Sequence, residues 1–204
     1  MRFYSQVLFP RLCDLLLNRP FVARHRQELL SHAHGNVLEI GFGTGLNLPH
    51  YPARVRKITA ADPNRGMNRL AQRRIKKARI EVNQRTVSGE RLPFEKGTFD
   101  CVVSTFTLCS IEAVQQAVSE VYRVLKSDGT FLFLEHGLSP EPSVQKWQRR
   151  LNWLEMCLAE GCRLDRDIKA LLVGQPFSSV AVEEFYLEQT PKTHGYLYSG
   201  VANK

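Results

Sequence analysis

Residues 36–47 read Asn-Val-Leu-Glu-Ile-Gly-Phe-Gly-Thr-Gly-Leu-Asn. An apolar run with one acid inside it passes here into a loop that carries Gly41, Gly43 and Gly45 at alternate positions. Glycine has no Cβ and adopts positive φ at little cost, so such a loop can turn sharply and present its N–H groups to a ligand. The pattern predicts a buried strand that ends at a ligand-binding loop. It differs from the G-x-G-x-x-G fingerprint of dinucleotide sites, whose third glycine lets the next helix pack closely.

A second short β-prone run, residues 58–61, ends at Asp62-Pro63, 17 positions after Gly45. This spacing leaves room for one crossover and one strand, which places the Asp62 carboxylate beside the glycine loop at the carboxyl edge of a parallel sheet. A carboxylate at that edge can accept hydrogen bonds from both hydroxyls of a ribose. The alternative is that Asp62 caps a helix that begins at Pro63, because Asp before Pro is a common helix start.

Strand and helix patterns alternate along the chain. The predicted strands lie near residues 36–41, 57–62, 79–84, 99–104 and 129–135, and two later β-prone runs, 178–185 and 196–202, bring the total to seven. Two helices, broken at 18–20, are expected between residues 10 and 33, and another over 144–158 with Trp147, Leu151, Leu154 and Leu158 at helical spacing. This alternation predicts an α/β fold with helices on both faces of a parallel sheet.

Length and composition fit one α/β domain. The chain has 204 residues, of which 43% are hydrophobic and 24% charged, as in folded globular proteins. No apolar run reaches the length of a membrane span and no signal-peptide core is seen at the N-terminus, so we expect a cytoplasmic protein. The five cysteines are scattered without a C-x-x-C pair, so the sequence indicates neither a disulfide framework nor a zinc site.

The net charge of +8 favours an anionic partner without identifying it. Part of the excess follows Asp62, where Arg65, Arg69, Arg73 and Lys76 share one predicted helix face and Met67, Leu70, Ala71 and Ile75 share the other. Such a face is usually solvated, and no nucleic-acid-binding motif accompanies it. We therefore expect no specific nucleic-acid binding and at most peripheral contact with an anionic membrane.

Four motifs occur in a fixed order. They are E-x-G-x-G-T-G at 39–45, Asp62 after the second strand, L-P-F-x-x-x-x-F-D-x-V-x-S at 92–104, and R-V-L-K-S-D-G at 123–129. In this order they resemble the class I S-adenosylmethionine-dependent methyltransferases, type 11 or ubiquinone-biosynthesis-like branch. The ending G-Y-L-Y-S-G-V-A at 195–202 is similar to that of a subgroup of methyltransferase-like thiol-methylating enzymes.

The resemblance implies a Rossmann-like seven-stranded sheet whose last strand is antiparallel. It also implies a single domain, 1–204, in which residues 1–35 form a helical lid, 36–136 the cofactor-binding core and 137–204 the acceptor wall with the last two strands. The expected contacts to S-adenosylmethionine come from Tyr4, Glu39, Gly41, Gly43, Thr44, Gly45, Asn47, Asp62, Pro63, Ser88, Gly89, Glu90, Thr105 and Phe106.

Three of these residues have alternatives. Tyr4 either reaches into the site or packs on the lid surface, and Glu39 either contacts the ligand or organises the loop and pairs with a neighbour. Many type 11 members read G-D-A-E-x-L-P, whereas residues 87–93 read V-S-G-E-R-L-P, so Ser88 stands where an adenine-contacting Asp is usual. The adenine contact then passes to the Ser88 hydroxyl or to backbone at Gly89.

Two residues on the acceptor side are candidates for chemistry. His136 follows the fifth strand and is either a general base for the acceptor or a hydrogen-bonded structural histidine. Cys109 is either a reactive thiol or, as we expect, a small buried packing residue. Phe106, Leu108, Trp147, Trp153 and Tyr196 are the expected apolar lining of the acceptor pocket.

The resemblance favours methyl transfer to a small, partly apolar acceptor, and the subgroup resemblance favours a thiol. The alternatives are a phospholipid-headgroup or quinone-precursor methyltransferase, and a non-catalytic protein that binds S-adenosylmethionine or nucleic acid.

Overall fold

The computed structural model describes residues 3–204 of the chain. After a π-helical turn, Tyr4–Leu8, the elements are α1 (Phe9–Leu17), α2 (Pro20–Leu30), β1 (Gly35–Ile40), β2 (Val55–Ala61), α3 (Arg65–Ile75), β3 (Glu81–Arg85), β4 (Phe99–Thr105), α4 (Val114–Val124), β5 (Leu125–His136), α5 (Pro142–Leu158), α6 (Ile168–Val173), β6 (Ser179–Tyr186), α7 (Lys192–Gly195) and β7 (Tyr196–Asn203). Short 3₁₀ turns cover Leu48–His50 and Leu108–Ser110. All seven predicted strands are present.

The strands form one sheet in the order β3-β2-β1-β4-β5-β7-β6. Strands β1 to β5 pair in parallel, whereas β7 is antiparallel to both β5 and β6. The expected Rossmann-like sheet with an antiparallel last strand is thus confirmed. The strand order runs outward from β1 to β2 and β3 on one side, and outward from β4 on the other side. The order therefore reverses between β1 and β4, and a crevice opens at the carboxyl ends of these two strands.

Each face of the sheet has its own apolar core. One core joins Leu38, Val102, Phe131 and Phe133 to α4 and α6 through Val118, Val121 and Ile168. The other joins Val37, Ile58, Val103 and Leu132 to α2 and α3 through Val22, Leu30 and Ala71. Strands buried on both faces read as nearly continuous apolar runs, as the sequence of β4 and β5 does.

The basic helix follows the predicted face, but it starts later than expected. Arg65, Arg69, Arg73 and Lys76 are exposed, while Met67 and Ala71 are buried. The helix α3 begins at Arg65, because the Asn64 side chain caps it by accepting from Gly66 N at 2.8 Å and Met67 N at 3.2 Å. The alternative in which Asp62 caps a helix beginning at Pro63 is therefore wrong.

The inward face of α5 also differs from the prediction. Trp147, Trp153 and Leu158 are exposed, whereas Gln148 and Asn152 are buried. The side-chain amides of these two residues are buried because they form hydrogen bonds with the backbone of nearby loops. Gln148 accepts from Ser139 N at 3.1 Å and donates to Gly137 O at 2.9 Å, and Asn152 accepts from Leu164 N at 2.8 Å. The buried face of α5 is therefore not the one predicted from the helical spacing of its apolar residues.

Among the described helices, none is long and apolar enough to cross a membrane.

We predict that Gly200→Ala destabilises the fold through the centre of β7. A Cβ at this position would overlap the carbonyl oxygen of Ala181 on β6 and stand 2.7 Å from Phe133 Cζ on β5. Relief of this overpacking requires β6 or β5 to move, so we expect a loss of about 1–3 kcal/mol in the free energy of unfolding. Urea denaturation measures it, and Ser199→Ala on the same strand is the control, with little change expected. Equal stability of the two variants would contradict this packing.

Candidate active site

A cavity of about 420 Å³ opens at the carboxyl ends of β1, β2 and β4. Its walls come from the glycine loop, the segments after β2 and β4, residues 88–90 and helix α1. The volume lies in the range of sites for small organic ligands and cofactors. The predicted residues that line it are Glu39, Gly41, Gly43, Thr44, Asn47, Asp62, Pro63, Ser88, Gly89, Glu90, Thr105 and Phe106.

Tyr4 and Gly45 are the two predicted residues outside the cavity wall. The Tyr4 hydroxyl donates to the carbonyl of Leu158, and its ring packs 6.2 Å from that of Phe9, so the surface alternative describes Tyr4 here and its contact to S-adenosylmethionine stays a prediction. Gly45 has φ +80° and turns the loop toward Leu48 without facing the cavity. Helix α1 instead contributes Phe9, Cys13 and Leu17 to the lining.

The glycine loop is bare where a ligand would lie. Gly41 and Gly43 have φ of +64° and +58°, the left-handed region that side chains avoid. A Cβ at Gly41 would overlap the Thr107 side chain, whereas the nearest atom to a Cβ at Gly43 is 3.8 Å away. The backbone at Gly43 therefore faces open cavity, and only there would a small side chain compete directly with a ligand.

Asp62 links the loop to the turn before α3. Its Oδ2 accepts from Gly43 N at 2.8 Å and its Oδ1 accepts from Asn64 N at 2.7 Å. Burial raises the pKa of Asp62, and the two backbone donors act against that rise. Each oxygen keeps a free lone pair toward the cavity, so the carboxylate can also accept the hydroxyls of a bound sugar.

A buried polar network underlies the methionine end of the expected site, and it includes Arg26, which the sequence did not indicate as a site residue. Arg26 Nη1 donates to Asn47 Oδ1 at 2.7 Å and to Thr105 Oγ1 at 2.8 Å, and its guanidinium lies 5.2 Å from the centre of the Phe106 ring. The side chain is 4% exposed, and Arg26 Nε has no partner among the described residues. No signal in the sequence separates this arginine from its exposed neighbours on α2.

Glu39 lies beneath this arginine. Its Oε1 accepts from Asn47 Nδ2 at 2.8 Å and its Oε2 from the Tyr51 hydroxyl at 2.6 Å. Burial raises the pKa of Glu39 to about 7, although these bonds and the nearby Arg26 charge act in the opposite direction. Of the two alternatives for Glu39, pairing with neighbours describes this geometry, yet the residue still lines the cavity.

The segment expected to face the adenine, residues 88–90, contains one acid. Ser88 Oγ donates to Glu90 Oε2 at 3.2 Å, and Glu90 Oε1 accepts from Ala113 N at 2.7 Å. Ser88, Gly89 and Glu90 all line the cavity. Glu90 matches the Glu of G-D-A-E-x-L-P, so the position of the usual Asp carries no carboxylate, and the adenine contact of Ser88 or Gly89 stays a prediction.

Helix α1 is fastened to the loop by an ion pair. Asp14 pairs with Arg74 of α3 at 2.7 Å and accepts from Thr44 Oγ1 at 2.5 Å, while Arg74 also donates to the Thr44 carbonyl at 3.0 Å. Thr44 therefore uses its hydroxyl to hold α1, and the three residues form a lid clasp.

The expected acceptor lining is only partly assembled. Phe106 lines the cavity, with φ +54°, a strained conformation for a side chain of this size. Trp147 and Trp153 point outward on α5, Leu108 is fully buried, and the Tyr196 hydroxyl donates to Glu184 on the far side of β7. None of these four residues lines the cavity, and for the two tryptophans the reason is that α5 turns its polar face inward.

His136 lies behind the cavity wall. Its Nε2 is 3.2 Å from Cys162 Sγ, and its Nδ1 is buried without a partner among residues 3–204. Cys109 is buried beside it, and a hydrogen bond from Cys162 together with the neighbouring imidazole lowers the pKa of Cys109 well below its ordinary value. The assignment of His136 as a base stays a prediction.

We predict that Glu39 makes stability fall as pH rises. Between about pH 4.5 and about pH 7 the Glu39 carboxyl keeps its proton in the folded protein, whereas the unfolded chain has released it. The contribution of Glu39 to the free energy of unfolding is therefore complete below about pH 4.5 and is lost as the pH rises through about 7. Relative to Glu39→Gln, the free energy of unfolding of the native protein should fall over this window by roughly 3 kcal/mol at most. Urea denaturation across the window measures it, and the exposed Glu188→Gln should run parallel to the native protein. A constant difference for Glu39→Gln would contradict the assignment.

Known proteins match the part of the chain that forms this site. Residues 38–133 match the family model described as a methyltransferase domain. Thiol S-methyltransferase TMT1B of Rattus norvegicus is 32% identical over 151 residues, 72% of this chain and 62% of the relative. The chain thus spans about three fifths of that protein. TMT1B of Homo sapiens is 32% identical over 189 residues, covering 86% of this chain and 77% of the relative.

Phosphatidylethanolamine N-methyltransferase of Cereibacter sphaeroides is 30% identical over 179 residues, 85% of this chain and 83% of the relative. Among solved structures, a SAM-dependent methyltransferase of Thermotoga maritima, described as a possible histamine N-methyltransferase, superposes with a TM-score of 0.69 at 18% identity. That superposition covers 100% of this chain and 98% of the other. The fold described above thus agrees with that of a SAM-dependent methyltransferase. The chain belongs to the S-adenosylmethionine-dependent methyltransferases.

Proposed function

We propose that the protein transfers the methyl group of S-adenosylmethionine to the sulfur of a small, partly apolar thiol. The relatives named thiol S-methyltransferases support the choice of acceptor. A thiolate is a strong nucleophile and the sulfonium is a good leaving group, so alignment and exclusion of water account for much of the task. A cavity covered by α1 and lined by Phe9, Leu17 and Phe106 suits both requirements.

The observation that carries the cofactor assignment is a buried cation with no anion beside it. Arg26 bonds directly only to the neutral Asn47 and Thr105, and within residues 3–204 no carboxylate lies at ion-pair distance from it. Burial lowers the pKa of Arg26 to about 10, with Glu39 opposing the change, so the group is cationic at neutral pH. A buried charge of this kind is stabilised by an anionic ligand. We assign it to the methionine carboxylate.

The rest of the proposed pose follows from this anchor. Asp62 accepts the ribose hydroxyls, and Ser88, Gly89 and Glu90 surround the adenine. Gly41, Gly43 and Thr44 border the ribose and methionine with their backbone, and Pro63, Asn47, Thr105 and Phe106 complete the wall. When bound, the cofactor supplies an electrophilic methyl group, and the protein residues orient it.

We predict that two substitutions distinguish the contacts to the carboxylate end of the cofactor from the contacts to its ribose. Arg26→Gln should weaken S-adenosylhomocysteine by about 10- to 100-fold, the range of a charge-assisted hydrogen bond. Binding of 5′-methylthioadenosine, which lacks the amino-acid carboxylate, should be nearly unchanged. Asp62→Ala should weaken both ligands, because both carry the ribose. Titration calorimetry measures the affinities.

The matched control is Arg24→Gln, an exposed arginine on the same helix, for which no change is expected with either ligand. Thermal unfolding shows that each variant is folded. Equal losses for both ligands in Arg26→Gln would mean that this arginine only supports the network, and retention of affinity within about twofold in Asp62→Ala would exclude the ribose contact.

A second acceptor class is favoured by specific observations. The bacterial relative is named for phosphatidylethanolamine, and Leu15, Leu16 and Trp153 are more than half exposed, as expected of a surface that meets lipid. A phospholipid headgroup is therefore the runner-up substrate.

We predict that a thiol is methylated faster than its matched alcohol or amine. Alkyl and aryl thiols, their hydroxyl and amino counterparts, and vesicles of phosphatidylethanolamine are compared by transfer of isotopically labelled methyl. The expected kcat/KM for thiols exceeds that of the isosteres by at least about tenfold, since an ionised sulfur is the better nucleophile. Preferred methylation of the lipid amine would replace the thiol with the runner-up.

We further propose that His136 activates the acceptor, either directly as a base or through a metal ion that it binds. In the same assay His136→Ala should lower kcat by about 100-fold or more while leaving affinity for S-adenosylhomocysteine unchanged, as for loss of a group that acts only in the chemical step.

A further inference from the structure

Three side chains far apart in the sequence converge behind the cavity wall. Cys109 lies in the turn after β4, His136 ends β5, and Cys162 lies in the loop between α5 and α6. The two sulfurs and a ring nitrogen of the histidine all lie within 4.8 Å of one another, and Cys162 Sγ is 3.2 Å from His136 Nε2. Both cysteines are free thiols. We call these three residues the Cys-His-Cys cluster.

The backbone holds the cluster together. Arg163 N and Arg166 Nε donate to the Cys109 carbonyl at 3.0 and 3.1 Å, and Leu164 N is bound by Asn152. These contacts fix the loop of Cys162 against the turn of Cys109 without using either sulfur. The two thiols therefore face each other in a site that is already formed, with exposures of 2% and 8%.

The donor set has a clear chemical preference. Two thiolates and one imidazole favour Zn²⁺ over the hard cations Mg²⁺ and Ca²⁺. Zn–S and Zn–N bonds of about 2.3 and 2.0 Å in a tetrahedron place the ligand atoms roughly 3.5–3.8 Å apart. The observed 3.2 Å contact and the 4.8 Å limit of the cluster bracket this separation. Small side-chain rotations would suffice.

The number of ligands is also informative. In the described part of the chain, no fourth His, Cys, Asp or Glu joins the cluster. Zinc sites with three protein ligands and an exogenous fourth are the catalytic type, whereas structural sites have four protein ligands. The cluster borders the cavity, because Ser110 and Glu160, next to Cys109 and near Cys162, line it, and Ser110 Oγ is 3.5 Å from Cys109 Sγ.

We propose that Cys109, His136 and Cys162 bind one Zn²⁺ ion and leave its fourth coordination position for the acceptor sulfur. The identity of the fourth ligand rests on the thiol acceptor proposed above; the metal site does not. Two protons leave the cluster for solvent when the ion binds, and a third is released when the acceptor thiol binds as thiolate. On transfer, an S–C bond forms at the acceptor, the methyl–sulfonium bond breaks, and the neutral thioether and S-adenosylhomocysteine leave.

The first experiment measures metal in the whole protein. The chain is purified under reducing conditions without chelator, reconstituted with Zn²⁺, and analysed by elemental mass spectrometry. About one zinc per chain is expected. Cys109→Ser, Cys162→Ser and His136→Gln should each weaken Zn²⁺ affinity by about tenfold or more, while binding of S-adenosylhomocysteine stays unchanged.

Cys101→Ser and Cys157→Ser are the matched controls, one buried and one exposed. Neither should alter metal content. A native protein that binds no more zinc than the Cys109→Ser variant overturns the site, and so does a Cys109–Cys162 disulfide in protein that binds no zinc after reduction. If His136→Gln keeps the ion but loses activity, the three-ligand assignment is wrong and the histidine serves as a base.

The second experiment tests the open position. Replacement by Co²⁺ gives a visible spectrum that reports thiolate ligands, and the probe thiol is 2-mercaptoethanol. An additional sulfur-to-metal band on addition of the thiol, absent with ethanolamine, is expected. Metal binding with no spectral response overturns the fourth position alone. If the metal-free protein methylates thiols at the full rate, this inference is overturned and the proposed function stays intact. If the metal binds the probe thiol but the enzyme methylates only amines, the proposed function is overturned.

Discussion

A guanidinium buried without a neighbouring carboxylate sets the conditions for the whole site. Arg26 is held by the neutral side chains of Asn47 and Thr105, so helix α2, the glycine loop and the end of β4 converge on one positive charge. Glu39 lies one hydrogen bond further away, through Asn47. This distance matters, because a direct ion pair would neutralise the charge that the ligand is proposed to meet. The site thus carries a positive charge where the cofactor carboxylate is proposed to bind.

The sheet and the approach of the glycine loop to Asp62 could be predicted from the sequence because they depend on local patterns. Continuous apolar runs mark strands buried on both faces, and the ends of parallel strands meet at one edge whatever the loops do. Gly43 and Asp62, 19 residues apart, were expected to be neighbours on this ground, and the Gly43 N–H does donate to Asp62. The antiparallel β7 came from the family resemblance, since periodicity does not report strand direction.

What the sequence could not predict depends on partners far along the chain. Gln148 and Asn152 look like surface residues, but they bind the backbone of distant loops, and this turns α5 so that Trp147 and Trp153 face outward. Arg26 resembles its exposed neighbours until the fold places it under Phe106. Cys109, His136 and Cys162 show no ligand spacing in the sequence, since a turn, the end of a strand and a loop bring them together.

The lid clasp ties helix α1 to the glycine loop. Asp14 and Arg74 are each about a quarter exposed at their side chains, so water and salt reach the pair. An ion pair that water reaches contributes little to stability, about 1 kcal/mol or less. Thr44 contacts both partners, since its hydroxyl donates to Asp14 and its carbonyl accepts from Arg74. Any movement of α1 away from the cavity would therefore break a contact of the glycine loop as well, so we expect the helix and the loop to move together.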